Sequence, residues 1–499
     1  GSRHILLDHG SRIGGDMVVS QDINEVIGFS GKGSNLLYKH QESTARWLQN
    51  RKSGAVLSEQ GTGKTYSVIE YLNRRSGAPE KILVVCPATI VGVWAEEIKK
   101  FSGVYADRAY ILNGTRKKRL KILSSGLPGI YIINYEGLRA LRENHNLAKL
   151  KWSVVIADEM TRVKNHRAKQ SKALHDFVKF CPLAIRIGLT GTPITQSPLD
   201  AFSQFYFIDP SIFGKSWWDF RHRHAIIKQR VMGGRSFQEI SGYKNLPELS
   251  KKISNNSIRF TKSECLDLPP KIYQKMTLEW PKKNRAVYDQ MAKELITEIG
   301  EDVVAVPNAL AKMIKLRQIC GGWLYNEDKK GIHLESKNPK LEALRGILEG
   351  SEKPVIIWCC FREDVRLLEK EFEDYTSISL SGAVEKEERQ KMVNRFQKGG
   401  IKLAICQINT AQYGITLTQA PTAVFFSQSW SVESRLQAED RCHRIGQENK
   451  CLYIDLLMKD SIDESISQIL FNRKKLASSI TNNSLQNLLK GKLDGQQIS

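Results

Sequence analysis

The sequence has no apolar run long enough to cross a bilayer. A spanning helix needs about 18–20 residues, and the longest apolar stretches, such as Lys81–Val93, are broken by polar residues. No stretch reads as a signal peptide. The nine cysteines include no Cys-x-x-Cys pair, and the adjacent Cys359-Cys360 lie in an apolar, strand-like run. That pattern excludes a disulfide framework and a zinc site and points to reduced thiols. His222 and His224, a close histidine pair, read as surface or packing residues. No Pro-Asp…(Asp/Glu)-x-Lys placement on a strand suggests a nuclease. Acidic residues are the scarce charge: 53 Asp and Glu stand against 75 Lys and Arg, a formal net charge of +22. The excess is spread along the chain, which favours a broad surface for a polyanion over a basic tail.

What remains is an ordinary apolar fraction, 41%, in 499 residues, enough for several domains. Two regions alternate short apolar strands with amphipathic helices, as a parallel α/β sheet requires. The first has expected strands at 54–58, 81–86, 130–134, 153–157 and 184–189. The second has them at 355–359, 377–380, 402–406, 423–427 and 451–457. The expected fold is therefore α/β, with two similar lobes. Residues 215–331 read as mostly helical, interrupted by Asp267-Leu268-Pro269-Pro270-Lys271, an interlobe linker. Gly1-Ser2 reads as the scar of a cleaved tag, with Met17 the latest native start. Residues 1–30 are then an extension, partly tag-derived, and 481–499 a polar tail.

Ser58–Thr65 (SEQGTGKT) follows an apolar strand and precedes a helical pattern, the setting of a phosphate-binding loop. Gly61 and Gly63 let backbone N–H groups, including that of Thr62, approach phosphates, and the helix N-terminus adds its dipole. Lys64 would reach the β- and γ-phosphates of ATP, and Thr65 would ligate Mg²⁺. Ser58 stands where the full pattern has glycine. Downstream, Val154–Ala157 ends in Asp158-Glu159. The first carboxylate can hold Mg²⁺, and the second can orient or deprotonate an attacking water. In the second region, QAEDRCHRIGQ at 437–447 places Arg441 and Arg444 on one face if the helix continues through them. Either could meet the γ-phosphate of ATP held by the first lobe and make hydrolysis depend on lobe closure.

These blocks, in this order from about Leu36 to Leu470, resemble superfamily-two helicases, and within them the Swi/Snf-type DNA translocases. LLYKHQ at 36–41, VVCPATIVGVWAEEIKKF at 84–101, YIINYEG at 131–137, DEMTRVKN at 158–165, LTGTPI at 189–194 and FIDPSIFG at 207–214 carry the resemblance in the first region. TKSECLDLPPK at 261–271, KLRQICGG at 315–322, YGITLT at 413–418 and 437–447 carry it in the second. The resemblance implies two RecA-like lobes, 31–268 and 269–480, with helical protrusions at about 215–262 and 282–335. It implies that Gln41 reads adenine, that Gly414 and Gln437 line the nucleotide site, and that Thr190 and Thr192 couple hydrolysis to movement. It places a DNA track on Thr89, Trp94, Asn134, Arg162, Lys164 and Asn165, continued by Ser381, Gly382, Asn409, Thr410 and Trp430. Met160-Thr161 stand where the family has Gly-His, and Ala411-Gln412-Tyr413 where it is glycine-rich.

The expected activity is that of a DNA-dependent ATPase, a monomeric motor moving on double-stranded DNA through sequence-independent phosphate contacts. Its short length resembles a compact prokaryotic or viral member, in the cytoplasm and away from membranes. Alternatives are a fork-remodelling or annealing helicase, the motor of a defence or restriction assembly, and a nucleotide-gated binding protein that hydrolyses poorly.

Overall fold

The computed structural model describes residues 37–481, apart from 76–78, 143–146, 233–234, 295, 300–301, 306–308, 327–329 and 335–336. The expected N-terminal extension and the tail beyond 481 lie outside the described residues. The chain begins with β1 (Gly54–Val56), β2 (Lys81–Cys86), β3 (Ala109–Ile111), β4 (Gly129–Asn134), β5 (Val154–Asp158) and β6 (Ile185–Leu189). A hairpin, β7 (Ala225–Met232) and β8 (Arg235–Tyr243), and a two-residue strand, β9 (Ser257–Ile258), follow. All but the hairpin pair in parallel as one sheet, in the order β3-β4-β2-β5-β6-β1-β9.

Why these strands are apolar throughout follows from the pairing. A parallel sheet is covered by helices on both faces, so both sets of alternate residues are buried. Ile82, Val84, Ile130, Ile132, Val154 and Ile156 feed one core. Their neighbours Leu83, Val85, Tyr131, Ile133, Val155 and Ala157 feed the other.

The second sheet repeats the plan. Its strands are β10 (Lys271–Leu278) and, after two further hairpins, β15 (Val355–Cys359), β16 (Ser377–Leu380), β17 (Leu403–Gln407), β18 (Thr422–Phe425) and β19 (Cys451–Met458). The hairpins are β11 (Ile296–Ile299) with β12 (Asp302–Ala305), and β13 (Trp323–Tyr325) with β14 (Gly331–His333). The order β10-β19-β18-β15-β17-β16 is again all parallel. Each lobe thus presents the carboxyl ends of its strands as a crevice where ligands bind in such sheets.

The structure corrects one expectation. Residues 215–331 are not helical throughout but carry three antiparallel hairpins. In β7 and β8, β-branched and aromatic residues such as Ile226, Ile227, Val231, Phe237 and Ile240 favour extended backbone. The protrusion at 215–262 is therefore a helix (Trp217–His224), the hairpin, and a second helix (Leu246–Asn255). The last helix, Ile462–Thr481, starts in the second lobe and ends in the first. There Ile480 joins the first lobe's core, and its carbonyl accepts a hydrogen bond from Ser250 Oγ at 2.5 Å. Among the described residues no helix is long and apolar enough to cross a membrane.

Candidate active site

β1 delivers the chain into the phosphate loop, and the Lys64–Asn73 helix leaves it. Gly61 and Gly63 have φ of 80° and 79°, a region that side chains rarely adopt. A Cβ on Gly63 would also overlap the Gln41 side chain. Lys64 Nζ donates to the carbonyls of Ser58 and Glu59 at 2.9 and 3.1 Å, and Thr62 Oγ1 donates to Glu59 O at 2.8 Å. The loop's own neutral carbonyls hold the ammonium. Ser58 has a structural use in its glycine position: its hydroxyl accepts from Phe260 N at 3.2 Å, pinning the loop to the segment beyond β9. Gln41 is buried, with its amide donating to Thr62 O at 3.3 Å and its carbonyl accepting from Tyr38 N at 3.1 Å. It shapes the loop from behind. Thr65 sits half-buried in the first turn of the helix.

The carboxylates lie at the end of β5. Asp158 is buried and accepts from Trp94 Nε1 and from Glu159 N, both at 2.8 Å. Tyr135 OH donates to the Asp158 carbonyl at 2.8 Å. Trp94, read from sequence as a candidate for the track, is turned inward instead and is 1% exposed. Glu159 has φ 49° and starts a short 3₁₀ turn, Met160–Val163. Met160 fits where the family has glycine because Gly188 on β6 leaves room for its sulfur. Burial raises the pKa of Asp158, against the Trp94 bond and the Lys64 charge. Burial, then the Asp158 charge, pushes Glu159 up to about 7. Glu97, one turn after Trp94, is likewise pushed up to about 7 by burial and then Asp158.

Open valences surround this point. Glu159 Oε2, Thr161 Oγ1 and Thr192 Oγ1 are buried without a hydrogen-bond partner, which native structures rarely tolerate unless a ligand or water completes them. Thr190 is fully buried, and its hydroxyl accepts from Thr192 N at 3.1 Å. Among the described residues no three His, Cys, Asp or Glu side chains form a metal cage. One threonine and one aspartate beside a phosphate loop are the donor set Mg²⁺ takes when phosphates and water complete its shell. The residues fit ATP with Mg²⁺.

The second lobe closes the site. Arg441 lies near the end of the Val432–Cys442 helix and is 9% exposed. Its guanidinium donates to Gln60 Oε1 across the cleft at 3.3 Å, to Gln437 O at 2.9 Å and to Ile415 O at 3.5 Å. Those partners are all neutral, and no carboxylate pairs with it among the described residues. Burial lowers its pKa to about 10. Gly414, at φ 72°, passes close beneath this guanidinium. Arg444 corrects an expectation: it lies past the helix, not on a shared face. The helix stops at Cys442, Gly446 turns the chain at φ 94°, and Gln447 Nε2 donates to Cys442 O at 3.2 Å. Arg444 nevertheless turns toward the same loop, donating to Thr416 Oγ1 at 3.0 Å and Gly414 O at 3.5 Å.

A contact that sequence reasoning missed joins the two most family-specific segments. Lys262, 4% exposed, donates through Nζ to Asp440 at 2.8 Å and His443 O at 2.7 Å, while its backbone N–H donates to Glu59 at 3.0 Å. His443 Nε2 meets Pro269 O of the linker at 2.8 Å. Lys271 and Tyr273 pair with Glu439. A cavity of about 400 Å³ lies along this seam. The 261–271 motif was visible in the sequence, but its partner, over 160 residues on, was not.

The expected track residues divide. Arg162, Lys164, Asn165 and Asn409 line one cleft of about 450 Å³ between the lobes, with Gln437 at its edge. Lys164 Nζ donates to Thr195 Oγ1 at 2.7 Å. Thr89 lies in a 3₁₀ turn, Ala88–Ile90, that touches the Ile408–Tyr413 turn of the second lobe. Asn134 ends β4, opposite Cys86 of β2, and its side chain accepts from Gly137 N at 3.0 Å. Ser381 and Gly382 lie on the surface past β16, with Gly382 N donating to Gln407 at 3.3 Å. Thr410 is fully buried and donates to Gln407 O at 2.7 Å, so its hydroxyl faces inward. Trp430 is half-buried against the second lobe's core.

The profile of the SNF2-related domain matches residues 40–322, more than half the chain, and that of the helicase conserved C-terminal domain matches 339–446. The chain belongs to the SNF2-related family. This SNF2-related chain is 26% identical over 531 residues to the TATA-binding protein-associated factor mot1 of Aspergillus fumigatus, matching 93% of the chain but 27% of that protein. It is 28% identical over 441 residues to the human DNA annealing helicase and endonuclease ZRANB3, matching 86% of the chain and 38% of that protein. It is 25% identical to the p41 protein of Acyrthosiphon pisum secondary endosymbiont phage 1, matching 86% of the chain and 94% of that protein. The SNF2-related chain thus spans about a quarter of mot1 and nearly all of the phage protein.

Proposed function

We propose that this SNF2-related chain is an ATP-driven motor that moves along double-stranded DNA as a monomer. The lobes divide at 31–268 and 269–480, with protrusions at about 215–262 and 282–335. The observation that carries the reading is Arg441. A buried guanidinium whose hydrogen-bond partners are all neutral is costly even with the Asp440 and Glu159 charges nearby, and this one points from the second lobe at the first lobe's phosphate loop. The charge it lacks is what a nucleotide phosphate brings.

In this reading Lys64 leaves its loop carbonyls for the β- and γ-phosphates, and the N–H groups of 61–65 cradle them. Thr65 and Asp158 would hold Mg²⁺, which would supply positive charge against the phosphates; Trp94 fixes the Asp158 carboxylate. Glu159 orients water and takes its proton at Oε2. Arg441 and Arg444 add positive charge from the second lobe as the transition state forms. Thr190 and Thr192 couple hydrolysis to the 162–165 segment, to which the same stretch of chain is joined by the Lys164–Thr195 hydrogen bond. Asn165, Arg162 and Asn409 contact phosphates from opposite lobes, so closure and opening shift one set of contacts against the other. Phosphate contacts carry no sequence information, as stepping requires. The basic net charge supports a DNA partner, and the setting is a bacterial or phage-infected cytoplasm.

The test is ATP turnover with duplex DNA, single-stranded DNA and single-stranded RNA of equal length. Duplex DNA should stimulate most. Equal or greater stimulation by RNA would reject the duplex track.

A further inference from the structure

Next to the interlobe cleft lies a second groove, of about 760 Å³, on the first lobe alone. Lys164 and Asn165 line both, so the two adjoin. The groove's floor is the 164–167 segment with Gln196–Asp200. Its wall is the protrusion: Trp217, Trp218 and Arg221 from one helix, and Gln238 and Ile240, alternate residues on one face of β8.

Its chemistry is one-sided. Lys164, Arg167 and Arg221 bring three cations, and none of them pairs with a carboxylate among the described residues. The one carboxylate of the lining, Asp200, is already committed. It accepts from Thr195 N and Oγ1, Gln196 N and Ser197 N at 2.8–3.5 Å. Trp218 is 52% exposed, with the guanidinium carbons of Arg167 and Arg221 each 5.6 Å from its ring centroid. Arg221 is largely buried, 9% exposed, and is held by Gln238 at 2.8 Å, so that it reaches the groove only at its lining, whereas Arg167 is exposed. A large exposed aromatic between unpaired arginines suits a sugar–phosphate backbone: the ring packs on the sugar and the guanidinium groups take phosphates.

We propose that this groove extends the DNA track from the interlobe cleft onto the protrusion, and that it binds the duplex backbone through Arg167, Arg221 and Trp218. The proposal rests on the reading of residues 162–165 as the track. It gives the hairpin a use, since β8 supplies the wall that holds Arg221 in place.

The experiment measures duplex binding by the full chain as a function of salt, for wild type, Arg167→Gln and Trp218→Ala, with melting temperature as the control for folding. Each phosphate contact contributes about 0.9 to the slope of log affinity against log salt. Arg167→Gln should lower that slope by ~0.9 and weaken binding roughly five- to tenfold at 0.1 M salt. Trp218→Ala should weaken binding with no change in slope, because it removes contact area and no charge. Both should melt close to wild type. Wild-type affinity and slope in Arg167→Gln would overturn the groove while leaving the track intact. Wild-type chain that fails to bind duplex would overturn both.

Discussion

Replacing Arg441 with alanine should separate catalysis from stability. Arg441 makes three hydrogen bonds, all to neutral oxygens, at 2.9, 3.3 and 3.5 Å. Bonds that involve a charged group contribute about 1.5–3 kcal/mol each, and the longest contributes least. Against them stands the desolvation of a buried cation, several kcal/mol even after relaxation. The two nearly offset, so Arg441→Ala should melt close to the wild-type temperature. An arginine that supplies transition-state charge is worth about 10³–10⁵ in turnover, or ~4–7 kcal/mol. DNA-stimulated ATP turnover should fall on that scale, while ATP affinity, set mainly by the first lobe, changes little. Arg441→Lys should rescue little, because an ammonium cannot span the three directions the planar guanidinium reaches. The assay is steady-state hydrolysis at saturating duplex and ATP, with a melting curve on the same sample. Turnover within about tenfold of wild type, or a loss matched by a collapse in melting temperature, would refute the reasoning.

Trp94→Phe removes the donor at 2.8 Å from Asp158, a bond to a charged group worth about 1.5–3 kcal/mol. The Mg²⁺ concentration for half-maximal turnover should rise, with recovery at high Mg²⁺; an unchanged Mg²⁺ titration would remove Trp94 from that role. Lys64→Ala should weaken ATP binding and Glu159→Gln should preserve it, while both abolish turnover; equilibrium nucleotide binding beside hydrolysis decides. Glu439 tests the electrostatics of the seam. Burial alone would raise its pKa, but Lys271, Arg435 and Lys474 and the Tyr273 hydrogen bond outweigh it and hold the carboxyl at about 2. Its folded value lies below its unfolded one, so the stabilisation, on the order of 3 kcal/mol, is complete above about pH 4.5 and drains away as pH falls toward 2. Urea unfolding of Glu439→Gln should show a deficit against wild type at pH 7 that narrows by pH 3; a constant deficit would contradict the assignment.

The strands buried on both faces were legible because continuous apolar runs such as 154–157 and 355–359 have few other uses. β10 was not: it is an edge strand, exposed at Ile272–Lys275 and at Thr277 and half-buried elsewhere, so no apolar run marks it. β3 and β9 are three and two residues long, too short to show a period. The positions of the 58–65 loop and of Asp158-Glu159 at strand ends were readable since each sits in contiguous residues. What eluded sequence reasoning was long-range. The Gln60–Arg441 contact spans 381 positions, and Trp94 finds Asp158 64 positions away. Arg444 was misplaced on the helix although Gly446 nearby was a local signal that the helix ends.

Displacement of a third strand from a duplex tests the motor most directly, because it needs movement along DNA and no separation of the duplex. The account predicts displacement with ATP, none with a non-hydrolysable analogue or with Glu159→Gln, and no unwinding of a plain duplex under the same conditions. ATP hydrolysis stimulated by duplex but without displacement, or duplex unwinding in its place, would contradict it.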